Sequence, residues 1–113
     1  DASVWVSWGS DGAPYGPRVS LWTGITRKGW DDAVYGAEEA VSRDEAIRLH
    51  TWAPAYQTFD ENNRGTIEVG KLADFVVLGE NILTVEADSI RHIPILMTIV
   101  GGKEIYVAEA TTQ

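Results

Sequence analysis

Residues 3–8, Ser-Val-Trp-Val-Ser-Trp, are β-branched or aromatic at nearly every position, a pattern that predicts a strand buried on both faces. A strand covered on both sides belongs to a parallel sheet under helices, where the loops leaving the strand ends carry the chemistry. Gly9-Ser10-Asp11-Gly12-Ala13-Pro14 breaks the run and puts Asp11 in such a loop. A Pro/Gly-rich stretch then leads into a short helix over residues 19–26. Ser42-Arg43-Asp44-Glu45 has the spacing of a capping box and starts a further helix, with acidic side chains in its first turn. Pro54 would interrupt that helix, but Thr51 can cap a second one with Pro54 in its first turn, where a missing N–H costs nothing. This second helix is expected to run to about Phe59, ended by the polar turn 60–65.

From Thr66 the pattern changes to that of strands. Residues 66–68 predict a short strand, 69–71 a turn, and 73–78 an apolar strand, followed by an acidic mixed connection over 83–90. Residues 94–100 and 103–107 flank Gly101-Gly102, the composition that primed hairpin turns require. The last six residues read as a frayed end.

Composition narrows the function classes. The 113 residues carry 9 Lys and Arg against 17 Asp and Glu, a net charge of −8, with no basic run. That balance argues against nucleic acid or an anionic membrane as a partner, since both need clustered cations. The absence of Cys excludes disulfides, thiol catalysis and Cys zinc sites. The longest apolar stretch, 93–100, is far short of a membrane span and contains Pro94 and Thr98. The chain starts at Asp1 without an initiator Met or a leader, so a processed or internal starting point is expected.

Few residues suggest chemistry unaided. His50 and His92 are forty-two positions apart and form no ligand pair with each other, so packing or surface roles are expected for both. Asp60-x-Asn62-x-Arg64-Gly65 imitates the start of a calcium loop but fails where Arg64 and Lys71 replace oxygen ligands. Gly9-Ser10-Asp11-Gly12 is neither a nucleophile elbow nor a phosphate loop. Of the five Trp, those at 5, 8 and 52 lie in apolar segments and read as core. Trp22 and Trp30, beside the Gly/Pro loop, stay open between packing and lining a substrate pocket.

Two groups of residues change the weighting. Gly65-x-Ile67-x-x-Gly70-Lys71-x-Ala73-Asp74-x-Val76-Val77-Leu78, followed by Thr98-x-Val100-Gly101-Gly102-Lys103-x-x-Tyr106, resembles the C-terminal signature of the metal-dependent amidohydrolases. Gly9-Ser10-Asp11, Thr26-Arg27-Lys28, Ser42-x-x-Glu45-Ala46-x-Arg48-Leu49-x-Thr51 and Ala55-Tyr56 are similar to amidohydrolase family 3, in its formamide-deformylase-like branch. The resemblance implies an α/β fold class: the C-terminal piece of a (β/α)8 TIM barrel, with its last strand and following helices in residues 1–62, plus strands of a composite β-sandwich in 63–113. It implies hydrolysis of a non-peptide, amide-like C–N bond in a small molecule, with Zn2+ or a similar divalent metal in the complete enzyme and none held by this chain alone.

By the same resemblance Asp11 is the catalytic residue and metal ligand, accepting a proton from the attacking water and delivering it to the departing nitrogen. The family's other ligands match nothing here, so the piece is expected to be inactive unless a missing N-terminal part or another copy of the chain completes it. The loop 12–17 departs from the branch, which leaves the substrate open. Gly70, Lys71 and Asp74 are expected to be a tight turn and a strand start that touch no substrate. A cytoplasmic setting is the default. The rival expectation is a stand-alone, non-catalytic α/β module with a binding or structural role, its Trp residues forming the surface.

Overall fold

A computed structural model describes residues 6–9 and 16–109. They form a mixed α/β structure with one antiparallel three-stranded sheet. Helix α1 spans Pro17–Thr26, α2 Arg43–His50 and α3 Trp52–Gln57; strands β1, β2 and β3 span Phe75–Leu78, Ile95–Val100 and Lys103–Val107. Single 3-10 turns at Ala37–Glu39 and Ala87–His92 complete the order.

Local chemistry explains most boundaries. Pro17 opens α1, where its lacking N–H loses no helical bond, and Arg27 closes it in the left-handed conformation with its N–H on Thr23 O. Ser42 caps α2, its hydroxyl accepting from the Glu45 N–H at 3.1 Å, as the capping box predicts. α2 and α3 meet at Thr51, again as expected, but Thr51 does not cap α3 with its side chain. Its hydroxyl turns back and donates to Ile47 O at 2.8 Å, the competing bond open to a Thr at the end of a helix. α3 stops at Gln57, and Phe59 adopts a positive φ of 61°.

Two expected strands are not seen. Residues 66–68 belong to turns: Lys71 N–H bonds Glu68 O, Leu72 N–H bonds Asn63 O, and the Thr66 hydroxyl bonds the Glu68 carboxylate. The Glu68 carbonyl is used by a turn, and no strand pairs with 66–68 among the described residues. Residues 6–9 carry no strand pairing either; Trp8 N–H bonds Leu49 O at 3.0 Å, at the end of α2. The rest of that expected strand, and Asp11 with it, lies outside the described residues. The 83–90 connection contains the unanticipated 3-10 turn, tightened by Ser89 N–H on Glu86 O.

The sheet order is β1-β2-β3. Phe75 opposes Ile99 and Val77 opposes Met97 across the first pair; Thr98 opposes Tyr106 and Val100 opposes Lys103 across the second. Both pairs are bulged, between Val77 and Leu78 and between Thr98 and Ile99. Gly101 and Gly102 take φ of 57° and 79°, the left-handed pair that a primed two-residue turn demands. The core lies elsewhere: Leu21 and Trp22 of α1, Ala46 of α2, and Ile90 and Ile93 of the second 3-10 turn and its exit are buried together.

Candidate functional site

The two tryptophans left open by the sequence stand side by side. Trp22 faces inward from α1 and is 1% exposed, while Trp30, beyond the helix end, is 73% exposed. Their rings are 6.3 Å apart at 37°, and they border a shallow depression of about 130 Å³ with Val19, Thr23 and Lys28. Trp22 therefore belongs to the core and to the floor of a surface depression at once.

A polar network holds this aromatic pair. The Trp22 indole N–H donates to Asp88 Oδ1 at 3.1 Å, and Lys28 Nζ donates to both Asp88 oxygens at 3.0 and 2.8 Å. Lys28 and Trp22 together hold the Asp88 carboxyl below the ordinary carboxylate pKa. The Arg91 guanidinium covers the Trp22 ring at 4.1 Å, and its Nη2 reaches Asp32 at 3.7 Å. Lys28 and Asp88 are sixty positions apart, so no linear motif announces the pair.

The segment leading toward Asp11 is fixed by a second set of contacts. Trp8 meets the His50 ring edge-on, with centroids 5.6 Å apart and planes at 78°. His50 Nε2 is buried without a hydrogen-bond partner among the described residues, and burial pushes its pKa below 6.5. Trp8 and Gly9 border a depression of about 280 Å³ together with Ser20, Thr23, Gly24 and Arg27. A larger apolar groove of about 490 Å³ lies between α3, the 64–67 loop and β1, bordered by Ala55, Ile67, Phe75 and Val76.

The signature residues of the last third are structural in their observed contacts. Gly70 has φ of 94° in a turn, and Lys71 Nζ pairs with Glu68 at 2.9 Å. Asp74 does more than start a strand: its Oδ1 accepts the Gly101 N–H at 2.8 Å and its Oδ2 lies 3.8 Å from Arg64. It links the hairpin turn to the turn after α3. The sequence marked Asp74 as part of a signature, but the partner it serves is twenty-seven residues away.

Among the described residues no three of His, Cys, Asp and Glu stand close enough to hold a metal ion. No described helix is long and apolar enough to cross a membrane.

Comparison with known proteins gives these features a context. No solved structure matches the chain. An N-substituted formamide deformylase of Arthrobacter pascens is 35% identical over 104 residues, covering 90% of this chain and 19% of the relative. The protein LONG AFTER FAR-RED 3 of Arabidopsis thaliana is 33% identical over 96 residues, covering 83% of this chain and 16% of its own length. The chain thus spans less than a fifth of either relative. The sequence profile of the amidohydrolase family matches residues 1–106, nearly the whole length, and the chain belongs to that family.

Proposed function

We propose that this chain is the C-terminal part of a hydrolase that cleaves a non-peptide C–N bond in a small amide-like molecule. The observation that carries the reading is the family match over residues 1–106, together with the 35% identity to an N-substituted formamide deformylase. On this reading residues 1–62 close a (β/α)8 barrel and residues 63–113 contribute strands to a β-sandwich. More large apolar side chains are exposed than buried among the described residues, which supports a larger assembly around this chain.

Asp11 is the residue of this chain assigned to catalysis. Its carboxylate accepts the proton of the attacking water as the C–O bond forms, and returns it to the nitrogen as the C–N bond breaks. The described residues do not fit a metal site: no ligand group is assembled, and His50 is turned against Trp8. Zinc or a similar ion, expected from the family resemblance, would draw on Asp11 here and on ligands outside this chain. Trp22 and Trp30 are the candidate substrate-facing pair, with Trp30 the accessible member.

The test is hydrolysis of an N-substituted formamide by the longer polypeptide carrying this chain, compared with its Asp11→Asn variant. The expected outcome is a loss of about 10²- to 10⁴-fold in kcat, the range for removing a positioned proton-transfer group. Unchanged turnover in the variant would remove Asp11 from the mechanism. A second reading, a self-sufficient binding or structural module, is favoured by the continuous core of Leu21, Trp22, Ala46, Ile90 and Ile93. It requires the chain to be monomeric and inert toward the formamide even when the rest of the longer polypeptide is supplied.

A further inference from the structure

α3 ends in a Schellman turn, in which Phe59 N–H bonds Tyr56 O at 3.1 Å and Asp60 N–H bonds Ala55 O at 2.8 Å. The turn puts Phe59 in the left-handed conformation, at a φ of 61°, a place that favours glycine and is an outlier for a bulky side chain. The residues that follow hold it there, since the Asn63 and Arg64 N–H groups bond Asp60 O and Leu72 N–H bonds Asn63 O. Two other non-glycine residues among those described have a positive φ, and each puts its side chain to use. Arg27 Nε donates to Tyr35 O at 3.0 Å, and Asp32 lies 3.7 Å from Arg91. Phe59 is 94% exposed and makes no such contact. A single exposed apolar side chain is ordinary, but one that also holds its backbone in a disfavoured region points to a contact made outside the described residues. The ground beside it suits one: Phe59 borders a depression of about 190 Å³ with Val6, Ala53 and Tyr56, so a projecting ring stands next to an apolar hollow.

We propose that Phe59 is the anchor by which the end of α3 docks on an apolar surface of the longer polypeptide, outside these 113 residues. The ring fills a pocket on that surface, and an apolar side chain from it fills the hollow beside Tyr56, the paired arrangement that dominates the energetics of packed interfaces. The proposal rests on the reading of this chain as one part of a longer polypeptide. Two observations favour this occupant over a second copy of the chain. The chain covers only 19% and 16% of the relatives that are 35% and 33% identical to it, so most of such a polypeptide is left to pack against it. A second copy would also bring a net charge of −8 against the same charge, a repulsion that packing within one polypeptide does not impose.

The experiment uses the longer polypeptide and two readouts. Hydroxyl-radical footprinting of the unaltered protein, read at Phe59 by mass spectrometry, reports whether the ring is covered. Oxidation there is expected to be at least about tenfold slower in the folded protein than in its proteolytic digest at matched radical dose, and independent of protein concentration. Thermal unfolding of Phe59→Gly and Phe59→Leu is the second readout. Glycine removes the ring and the backbone strain together, so it raises the melting temperature or leaves it unchanged if the ring lies in solvent, and lowers it if the ring is an anchor. The expected result is a fall of at least about 2 °C for Phe59→Gly and a smaller one for Phe59→Leu, which keeps an apolar contact. Oxidation of Phe59 at the digest rate overturns the proposal, and so does a melting temperature that glycine raises or leaves unchanged. Protection that grows with protein concentration assigns the surface to a second copy and overturns it too. Should Phe59→Gly not fold, the footprint, which needs no variant, decides alone. An intact mass of 12.4 kDa for the protein isolated from its source removes the longer polypeptide and the proposal with it, whereas an uncovered Phe59 in a longer polypeptide removes the anchor alone.

Discussion

His50 is half-buried at the end of α2, with one ring nitrogen lacking a partner among the described residues and the Trp8 indole packed edge-on with its ring. Burial disfavours its cation, so its pKa in the folded chain lies below 6.5. The unfolded chain then binds more protons between the two values, and stability present above 6.5 is lost as pH falls through the folded value. Urea unfolding at pH 7.5 and 5.0 should show a lower midpoint at the acidic value, and His50→Gln should flatten that part of the slope. Asp88 acts in a separate window, since its depressed pKa releases stability only below 3.8. The sequence reading placed His50 among packing or surface residues and the structure shows it packed. The partner was not readable, because Trp8 and His50 are joined by tertiary packing across a long chain separation.

At the scale of elements, what was legible is what short-range chemistry decides. The Ser42 cap, the break at Thr51, the Gly101-Gly102 turn and the three strands β1 to β3 follow from residues within a few positions of each other. Ser42→Ala removes the hydroxyl that satisfies the Glu45 N–H, and should cost about 1 kcal/mol, read as a lower denaturant midpoint with an unchanged m-value. Where the reading failed, the deciding partner was distant or missing. Residues 66–68 have strand composition but only the Glu68 carbonyl and the Thr66 and Glu68 side chains find partners, all nearby, and residues 6–8 have no neighbouring strand among the described residues. The Lys28–Asp88–Trp22 network joins segments far apart in sequence, and no spacing rule finds it.

For the whole molecule, the radius of gyration is 15.3 Å, against about 13 Å for a compact domain of this length. The excess goes with the sheet, where β1 and β3 are outer strands and Phe75, Val76, Val77, Leu96, Ile105 and Val107 are exposed. Strand edges and apolar faces of this kind associate unless covered, and a net charge of −8 only weakens that tendency. Sedimentation velocity on the chain alone should show a rising weight-average mass with concentration. A single monomeric boundary at high concentration would mean the faces are closed by the chain's own repacking.

The β2–β3 turn has a consequence for how such a chain can vary. Both amides of its glycine pair are already taken, Gly101 by the Asp74 carboxylate and Gly102 by Ala73 O, so the turn is tied to the entry of β1 as well as to its own hairpin. An insertion or deletion there would not simply lengthen or shorten a loop; it would uncouple the hairpin tip from the turn that carries Arg64. The exposed 36–40 stretch, whose backbone bonds stay within it and which is tied elsewhere by the exposed Glu39–Arg27 ion pair, is by contrast where added residues can be absorbed. A change in length is therefore expected to be absorbed on the surface that follows α1 and not at the hairpin tip of the sheet.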